Sequence, residues 1–549
     1  MCGGCLTPWT RTYTDIMPGF HVEHFGCRAA RADGEAVSAQ LRAAGLCERQ
    51  PPAADLVIVN TCSVTAEADR AARAFIRRAH RVNPEARIVV TGCYAQRAPE
   101  ELAGMAGVAA VVGNSHKALT PEIALGLTLQ AEERGSLVSV QSLLTGGNSP
   151  GQAPIWVDDR FAHSFIEEAQ LAPGAQTRPN LKIQEGCGNR CTFCVIPQTR
   201  GSSRSLSGAA VLKQVEGFVA AGGNELVLSG INLGRWGRDL AGFAYDRATR
   251  DLSYSTLSPE EMRKDGAPSL RGESRPGSAR RSLAAPTLAN LVRQILAQTG
   301  LARLRLSSIE PMDWDAELIG LMAEFGGRRL ARHAHLPLQS GSDAVLRRMH
   351  RRYRPWHYVE KVEALIRAAG PELTVGADVM VGFPGETDGE FEETLALVRA
   401  LPFGYLHLFS FSPRPGTRAW ALHAERPVAT AAVEERMGAL RTLAAEKSET
   451  HRRGFLGREL EAITLHTPAE LAGRGCTAAL TENFLRVELE GAQAANRLVR
   501  VRVLGLNAEG KLEAVAEAAQ GQYAATAMSV RAKSVPLKSR SSPVSLARA

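Results

Sequence analysis

The sequence predicts an α/β protein with an N-terminal doubly wound parallel sheet, a central partial (β/α) barrel and a small C-terminal all-β barrel. Short apolar runs alternate with helical patterns over residues 17–134 and again over 178–448, which is typical of parallel sheets covered by helices. Residues 455–515 instead alternate apolar and polar side chains, as half-exposed antiparallel strands do. A chain of 549 residues is also too long for a single core.

Composition and charge are ordinary for a globular protein and exclude a membrane-spanning one. Hydrophobic residues make up 44% of the chain and charged residues 22%. No apolar run reaches the 18 residues of a transmembrane helix, and the first residues lack the regions of a secretory signal. We therefore expect a cytoplasmic protein with no membrane partner. The net charge of +8 permits a nucleic-acid partner without requiring one.

The first 16 residues carry two of the ten cysteines, Cys2 and Cys5, in the motif CGGC. A CxxC pair can bind metal or act in redox chemistry. However, this stretch has no core pattern, and Met17 closely precedes the first strand signal. We therefore expect residues 1–16 to be a leader and translation to begin at Met17.

In the first predicted domain, residues 17–134, a cysteine follows each of three strands. The runs FHVEHF, DLVIVN and RIVV are typical of buried strands, with GVAAVVG as a fourth. Cys27, Cys62 and Cys93 come just after the first three. Because ligands bind at the carboxyl edge of a parallel sheet, we expect these cysteines to meet there and to hold a metal cluster. The alternative is three unrelated buried thiols.

Two stretches differ in composition from the segments around them. Residues 135–177 are rich in Gly, Ser, Pro and Gln and are interpreted as a linker. Residues 242–284 interrupt the central domain with Ser, Gly, Pro and mixed charges, and this composition predicts a disordered surface insertion. The strand candidates of that domain are ELVLSGIN, RLRLSS, HAHLPL, TVGADVMVGF and GYLHLFSF.

A second group of three cysteines lies within eight residues of the central domain. Cys187, Cys191 and Cys194 have the spacing C-x3-C-x2-C. A closed zinc site has four protein ligands, and no fourth Cys or His follows closely. A zinc knuckle or buried thiols are the alternatives. Three thiolates better suit a [4Fe–4S] cluster in which one iron has no protein ligand and can bind a substrate or cofactor.

The motif EGCGNRCTFC, with Phe193 inside it and LKIQ before it, resembles the signature of radical S-adenosylmethionine (SAM) enzymes. In that family the open iron chelates the amino and carboxylate groups of SAM. An electron from the cluster then cleaves the sulfonium bond and gives a 5′-deoxyadenosyl radical. The resemblance implies that the three cysteines ligate this cluster and that Phe193 lies beside the cofactor.

The segment GGNE is similar to another motif of that family. Gly222, Gly223 and Glu225 stand where the family's glycine-glycine-glutamate motif contacts the amine of the methionine. The alternative is a simple turn before a strand. The resemblance implies that these three residues bind SAM.

Three further segments at predicted strand ends also resemble the radical SAM core. They are SSIEP, HLPLQSGSD and ADVMVGFPGET, and the resemblance implies that Ser308, Gln339 and Asp378 face the cofactor or the substrate. A barrel of parallel strands builds its site from such loops. Each residue taken alone is equally compatible with a strand-end polar group whose hydrogen bonds are satisfied.

Two groups of three cysteines followed by a small β-barrel resemble one group of these enzymes, the methylthiotransferases. The resemblance runs from about residue 20 to 515, apart from the insertion. The segments NTCSVTAEADRAAR, TGCYAQ, CTFCVIPQTRG and LSGINLGRWGRDL are most similar to the branch that modifies threonylcarbamoyladenosine in transfer RNA. The sister branches modify isopentenyladenosine in tRNA or an aspartate of a ribosomal protein. Their usual residues after the second cysteine differ from Ser63-Val64-Thr65.

This resemblance implies a role for each domain. The first would hold an auxiliary [4Fe–4S] cluster on Cys27, Cys62 and Cys93, the second would generate the radical, and the barrel, called TRAM, would bind tRNA. One SAM would methylate sulfur held at the auxiliary cluster and a second would make the radical. Carbon 2 of adenine needs a radical because no side-chain base usefully deprotonates it. The electron donor and the sulfur donor are partners that the sequence does not identify.

The sequence departs from the family near the first cysteine. The family usually has an asparagine three residues after it, where this chain has Ala30, and Asp33 stands near the usual glutamate. Cys27 itself is retained. We therefore expect ligation to be intact, while the residues that surround and tune the cluster differ.

Two sets of arginines are candidates for contact with tRNA. The first lies on one face of the helix predicted for AEADRAARAFIRRAHRVN, at 3.6 residues per turn: Arg70, Arg73, Arg77 and Arg81. The second lies in the predicted barrel: Arg486, Arg497, Arg500 and Arg502. A solvated surface is the alternative for both. Residues 518–549 have five basic and no acidic residues and predict a disordered cationic arm.

The sequence thus predicts a tRNA methylthiotransferase that acts on carbon 2 of N6-threonylcarbamoyladenosine next to the anticodon. Isopentenyladenosine or a ribosomal-protein aspartate is the alternative substrate. A non-catalytic iron–sulfur RNA-binding protein is the alternative of another class, and the intact C-x3-C-x2-C motif argues against it.

Overall fold

The computed structural model describes residues 17–132, 152–159, 161, 166, 177–240 and 286–517. The predicted leader, insertion 242–284 and cationic arm 518–549 lie outside these residues, as does most of the predicted linker. In the part of the chain that is described, no helix combines the length and the apolar character needed to cross a membrane.

The N-terminal part is a six-stranded sheet in which every neighbouring pair of strands is parallel, in the order β2-β1-β3-β4-β5-β6. The strands are β1 Gly19–His24, β2 Cys47–Glu48, β3 Leu56–Thr61, β4 Arg87–Gly92, β5 Val108–Gly113 and β6 Ile155–Trp156. The helices are α1 Arg28–Ala43, α2 Ala66–Val82, α3 Cys93–Arg97, α4 Pro99–Ala103 and α5 Thr120–Glu132.

Alternate side chains of the central strands enter two separate cores. Val59 of β3 packs in one core with Phe75 of α2, while Ile58 of the same strand packs in the other with Leu41 of α1. All six residues of β3 are buried, as expected for a strand covered by helices on both faces. The predicted doubly wound sheet is therefore confirmed.

The central part is a row of six parallel strands in chain order, which confirms the predicted partial barrel. The strands are β7 Asn180–Glu185, β9 Glu225–Gly230, β10 Arg303–Leu306, β11 His333–His335, β12 Thr374–Val381 and β13 Phe403–Ser410, with a short β8 Arg204–Ser205 antiparallel to β7. A bridge between Leu304 of β10 and Leu330, just before β11, joins the first three strands to the last three, as does a hydrogen bond from the Ile309 N–H to the His335 carbonyl oxygen.

Helices alternate with these strands and bury one continuous core. They are α6 Ile196–Arg200, α7 Gly208–Ala220, α8 Leu288–Gln298, α9 Ala316–Phe325, α10 Asp343–Arg348, α11 Pro355–Ala369, α12 Asp388–Ala400, α13 Arg418–Glu425 and α14 Thr430–Arg453. Several begin with a side-chain cap. Thr387 and Glu390, for example, form a reciprocal capping box at the start of α12.

The C-terminal part is a closed five-stranded barrel in the order β14-β15-β16-β18-β17. Its elements are β14 Glu459–Thr464, α15 Ala469–Gly473, β15 Cys476–Thr481, β16 Arg486–Glu490, β17 Leu498–Leu506 and β18 Leu512–Ala516. The β16–β18 pair is parallel and the others are antiparallel. Closure removes the exposed strand edges, and the predicted small all-β barrel is confirmed.

A buried carboxylate ties the barrel to the amino ends of the central strands. Glu225, the first residue of β9, is fully buried and lies 3.0 Å from Arg305, 3.2 Å from Arg303 and 3.4 Å from Arg178. Arg303 also contacts Glu461 of β14. Burial alone would raise the pKa of Glu225, but the three arginines outweigh it and lower that pKa.

Replacing Glu225 with Gln is expected to lower the free energy of unfolding by about 3–5 kcal/mol, because the buried arginines lose their counter-charge. The matched control is Glu324→Gln. Its pair with Arg293 has side chains 50% and 53% exposed, so this change should cost less than about 1 kcal/mol. Urea unfolding at neutral pH measures both. Since the pKa of Glu225 is lowered by folding, its contribution should shrink as the pH falls through the folded-state pKa; equal losses for both variants would contradict this assignment.

Candidate active site

The first group of cysteines lies together at the carboxyl edge of the N-terminal sheet. Strands β1, β3 and β4 are neighbours, and Cys27, Cys62 and Cys93 follow them within three residues. Cys62 and Cys93 are buried and Cys27 is exposed. Burial, together with the neighbouring Cys93 and Cys27 thiols, raises the pKa of Cys62 to about 12. The expectation that strand ends would bring these residues together agrees with this geometry.

Two glycines allow the close approach of the chain at this edge. Gly26 has φ +111°, and a Cβ added there would lie 2.7 Å from the Cys62 sulfur. Gly92 has φ +99°, and its Cβ would lie 2.3 Å from the Thr61 carbonyl oxygen. Each glycine directly precedes a cysteine, so the missing side chains open a cradle around the sulfur atoms. Three thiols in such a cradle suit the ligation of an iron–sulfur cluster.

The second group lies in the loop that follows β7, at the carboxyl end of the central strands. The Asn189 N–H donates to Cys187 Sγ at 3.4 Å, and Asn232 Nδ2 donates to the same sulfur at 3.6 Å. Arg351 Nη1 donates to Cys191 Sγ at 3.4 Å. Donors aimed at sulfur are what thiolate ligands of an iron–sulfur cluster require, and they tune its potential.

Burial raises the pKa of a thiol in this loop. It raises the pKa of Cys194 to about 12, and the neighbouring Cys191 and Cys187 thiols add to the effect. Three thiolates held this close are stable only with a cationic partner, so the donor set fits a bound cluster. Gly186, at φ +69°, begins the loop because a Cβ there would lie 2.0 Å from the Ser202 carbonyl oxygen.

Both groups of cysteines open onto one cavity of about 200 Å³. Cys93 and Cys194 lie in its wall, with Phe193, Gln339 and Asp378 beside them. Its other lining residues come from the first domain and the central strands: Ser63, Val64, Thr65, Val195, Ile196, Thr199, Met380, Phe409, Ser410, Phe411 and Ser412. The cavity therefore places the two groups in contact with the same small volume.

Asp378 presents an ionised carboxylate to this cavity. His335 Nε2 lies 3.0 Å and His407 Nδ1 3.2 Å from its Oδ1 atom. Burial would raise the pKa of Asp378, but these two imidazoles outweigh it and hold that pKa well below its usual range. The three side chains are close enough to share a metal ion, although the contacts between them already satisfy the carboxylate oxygen. Gln339 adopts φ +65° in the adjoining turn.

The prediction that the GGNE segment binds SAM is not supported, and the role of Ser308 stays a prediction. Gly222 and Gly223 precede β9 and Glu225 begins it, whereas the cysteine loop follows β7, and these parallel strands place the two segments at opposite ends. Glu225 is occupied by the arginines described above, so we do not assign it to SAM. Asn232, just past the carboxyl end of β9, is the residue that reaches Cys187. Ser308 follows β10 but is exposed and does not line the cavity.

A buried ionic cluster joins the first domain to the central one beside Cys93. Arg200 of α6 is fully buried, and its Nη1 atom lies 2.6 Å from Glu185 and 3.1 Å from Asp33. Lys117 and Lys182 contact the same two carboxylates. Asp33, which stands near the family's usual glutamate, thus belongs to this cluster. The sequence analysis missed Arg200 although it lies in the quoted segment CTFCVIPQTRG.

The candidate RNA-binding arginines differ in how far their charge is already matched. Arg73 contacts both the Tyr94 hydroxyl and, at 3.0 Å, the Glu101 carboxylate. Arg502 pairs with Glu459 at 2.7 Å. The remaining arginines proposed from the sequence are exposed: Arg70, Arg77, Arg81, Arg486, Arg497 and Arg500. The predicted arginine face of α2 therefore consists of Arg70, Arg77 and Arg81, without Arg73.

Comparison with known proteins connects this geometry to a family. Residues 19–113 match a model described as uncharacterized protein family UPF0004, and residues 267–398 match the radical SAM superfamily. The chain is 32% identical over 489 residues to the threonylcarbamoyladenosine tRNA methylthiotransferase MtaB of Bacillus subtilis, covering 88% of this chain and 93% of that protein. The chain belongs to the radical SAM methylthiotransferases. It is therefore an enzyme that uses SAM and a [4Fe–4S] cluster.

Other methylthiotransferases are similar over most of the chain. MtaB of Aquifex aeolicus is 31% identical over 82% of this chain and 91% of its own length. The tRNA-2-methylthio-N(6)-dimethylallyladenosine synthase of Geobacter metallireducens is 30% identical over 80% and 85%. Among solved structures, the radical SAM methyltransferase TsrM of Kitasatospora setae matches 74% of this chain and 76% of its own, with a TM-score of 0.46 and 15% identity.

Replacing Cys187, Cys191 and Cys194 together with Ala should remove about four irons per chain and abolish reductive cleavage of SAM, because the cluster loses its thiolate ligands. The matched control replaces Cys47 and Cys476, which lie in β2 and β15 away from both groups, and should keep both properties. Iron analysis and chromatography of 5′-deoxyadenosine measure the outcome. Cleavage that persists in the triple variant would refute the ligand assignment.

Proposed function

We propose that this methylthiotransferase adds a methylthio group to carbon 2 of N6-threonylcarbamoyladenosine in tRNA. The observation that carries the proposal is the single cavity with Cys93 and Cys194 in its wall. A base bound there would present its reacting carbon to both cysteine groups at once. The two MtaB relatives, whose names specify this substrate, support the choice of nucleoside.

The radical half of the site is assigned to the loop after β7. Cys187, Cys191 and Cys194 would hold the [4Fe–4S] cluster, which with SAM supplies a radical able to take hydrogen from an unactivated C–H bond. Arg351 would neutralise thiolate charge on Cys191, and Glu310 fixes its guanidinium through two contacts of 2.7 Å. Both contacts come from Nη2, and charge-assisted hydrogen bonds of this kind orient the guanidinium.

The sulfur half of the site is assigned to the edge of the N-terminal sheet. We propose that Cys27, Cys62 and Cys93 hold a second [4Fe–4S] cluster that keeps the sulfur to be transferred. The glycine cradle and the convergence of three strand ends support this assignment. With only three protein ligands, one iron remains open to a sulfur that the chain does not provide.

The walls of the cavity suit a nucleoside. The ionised Asp378 is positioned to accept hydrogen bonds from ribose hydroxyl groups, whether of SAM or of the substrate. Phe193, Phe409 and Phe411 offer aromatic faces on which a base stacks, and such contacts contribute about 1–3 kcal/mol per base. These side chains also exclude water from the place where the radical forms.

A second hollow of about 500 Å³ continues from the cavity and favours the threonylcarbamoyl substrate. The two share Thr65, Phe409, Ser410, Phe411 and Ser412. The second also has the exposed Arg70 and Arg441 in its wall, together with the exposed Glu67 and Glu434. A threonylcarbamoyl group carries a carboxylate that an arginine binds well, whereas an isopentenyl group carries no charge.

The tRNA itself would lie across the first domain and the barrel. Arg77 and Arg81 continue from Arg70 along one exposed face of α2. Arg486 and Arg500 are exposed on the barrel. We propose that these residues contact phosphates, which gives affinity without sequence information. The barrel is bound to the central domain through Arg303 and Glu461, so point variants test its role better than its removal.

Reconstituted enzyme incubated with SAM, a reductant, a sulfide source and tRNA carrying N6-threonylcarbamoyladenosine should give the 2-methylthio nucleoside, detected by mass spectrometry of digested tRNA. Changing Cys27, Cys62 and Cys93 to Ala should abolish this product, leave about four irons and spare reductive cleavage of SAM. A variant that retains about eight irons would refute the second cluster. Product formed only on isopentenyladenosine would refute the substrate.

Changing Arg441 to Gln should abolish the preference for tRNA that carries the threonylcarbamoyl group over the same tRNA without it. Loss of a hydrogen bond to a charged group is worth about 1.5–3 kcal/mol, or roughly tenfold or more in affinity for the modified tRNA alone. Affinity for the unmodified tRNA should stay the same. Arg399→Gln removes an exposed arginine of α12 as the control. A preference that survives both Arg441→Gln and Arg70→Gln would contradict the role of this hollow.

A further inference from the structure

Arg200 of the central domain reaches the sulfur atoms of the first domain. Its Nε atom donates to Cys93 Sγ at 3.2 Å, and the side chain is fully buried. Asn114 Nδ2 donates to the same sulfur at 3.4 Å and to the Thr199 carbonyl oxygen at 2.8 Å. The Cys93 sulfur is therefore held by donors from both sides of the domain boundary.

The orientation of the Arg200 guanidinium is fixed from its other side. Nη1 donates to Glu185 Oε1 at 2.6 Å and to Asp33 Oδ2 at 3.1 Å. In a planar guanidinium, the Nε–H and one Nη2–H point in parallel from the same edge. Since Nε points at Cys93, Nη2 points to the space beside that sulfur. Among the described residues Nη2 is buried and has no hydrogen-bond partner.

A buried donor without a partner is unfavourable, so this edge indicates an acceptor that the chain itself does not supply. The charges around it indicate that this acceptor is an anion. Among the described residues, Arg200, Lys117 and Lys182 pair with two carboxylates, Asp33 and Glu185, which leaves one positive charge in a buried place. Unmatched buried charge is strongly unfavourable, and an anionic sulfur group beside Cys93 would match it.

We propose that the Nε/Nη2 edge of Arg200 is a two-pronged anion-binding fork for the sulfur-bearing group at Cys27, Cys62 and Cys93. Nε binds the Cys93 thiolate and Nη2 binds a sulfur atom that is not part of the chain. This inference rests on the proposed second cluster. Arg200 is a positioning residue, and its fixed positive charge favours the more negative, reduced form of the group that it contacts.

The test measures the reduction potential of the second cluster by a redox titration followed by electron paramagnetic resonance. The parent is the full chain with Cys187, Cys191 and Cys194 changed to Ala, so that only the second cluster contributes a signal. Adding Arg200→Gln should lower the equilibrium constant for reduction tenfold or more, which is about 59 mV for a one-electron couple. Adding Arg200→Lys, which keeps the charge and loses the parallel donors, should give a smaller decrease.

Arg436→Gln in the same parent is the matched control, because Arg436 is also buried and pairs with two carboxylates, Glu386 and Asp388, but touches no cysteine. Its potential should equal that of the parent. A full iron content with an unchanged potential in Arg200→Gln would overturn the fork. If that variant loses its iron, an Arg200→Lys potential equal to the parent's would overturn it. A parent without iron would instead refute the proposed second cluster itself, and the fork with it.

Discussion

The active site depends on the buried contact between two parallel-sheet edges, one from each α/β part. Charged side chains are unfavourable in a protein interior unless they are paired, and three ion pairs of the cluster around Arg200 cross from one part to the other. Asp33 and Lys117 come from the first part, and Glu185 and Arg200 from the second. Separation would break these three pairs and leave Lys182 and Arg200 to share Glu185. The contact therefore defines one docked arrangement rather than a range of them.

This arrangement lets each of the two α/β parts place its own group of cysteines at the same cavity. Side chains that follow parallel strands converge at one edge, so the N-terminal sheet brings three distant cysteines together, while the central strands carry the other three in the loop after β7. Facing the edges towards each other creates the shared cavity. The barrel is attached at the other end of the central strands, through Glu225 and its arginines, and so leaves the cavity free. Ionic contacts therefore lie at both ends of the central strands, and the cysteines lie at the carboxyl ends.

Much of the fold followed from patterns that act locally. Apolar runs located the strands, and the cysteines after Asn60-Thr61 and Thr91-Gly92 were placed because strand ends define a sheet edge. Contacts between distant segments did not follow. Arg200 lies 107 positions from Cys93, and Arg351 lies 160 from Cys191, so no sequence period relates them. The same holds for Arg73, whose face on α2 was predicted but whose partner Glu101 belongs to another helix.

The prediction that Glu225 binds SAM failed for a different reason, because the sequence contained the information needed to place this residue. The strand ELVLSG was located correctly, and the rule that sites form at carboxyl ends pointed to Asn232 after it. Similarity of the letters GGNE to a family motif instead directed attention to the residues before the strand. The same short motif has a different role at the two ends of a parallel strand, because ligands bind at the carboxyl end. Topology is therefore a stronger guide than a short match when the two disagree.

The junction around residues 241–285 also has a consequence for how such an enzyme diversifies. A Cβ added to Gly237 would lie 2.3 Å from the carbonyl oxygen of Pro286, so the chain departs and returns at nearly the same point. The entropy of closing a loop across such a point rises only slowly with its length. Segments of different length between these two residues are therefore compatible with the same strand register. The length of the chain between Gly237 and Pro286 can change without moving the strands that position the cysteines.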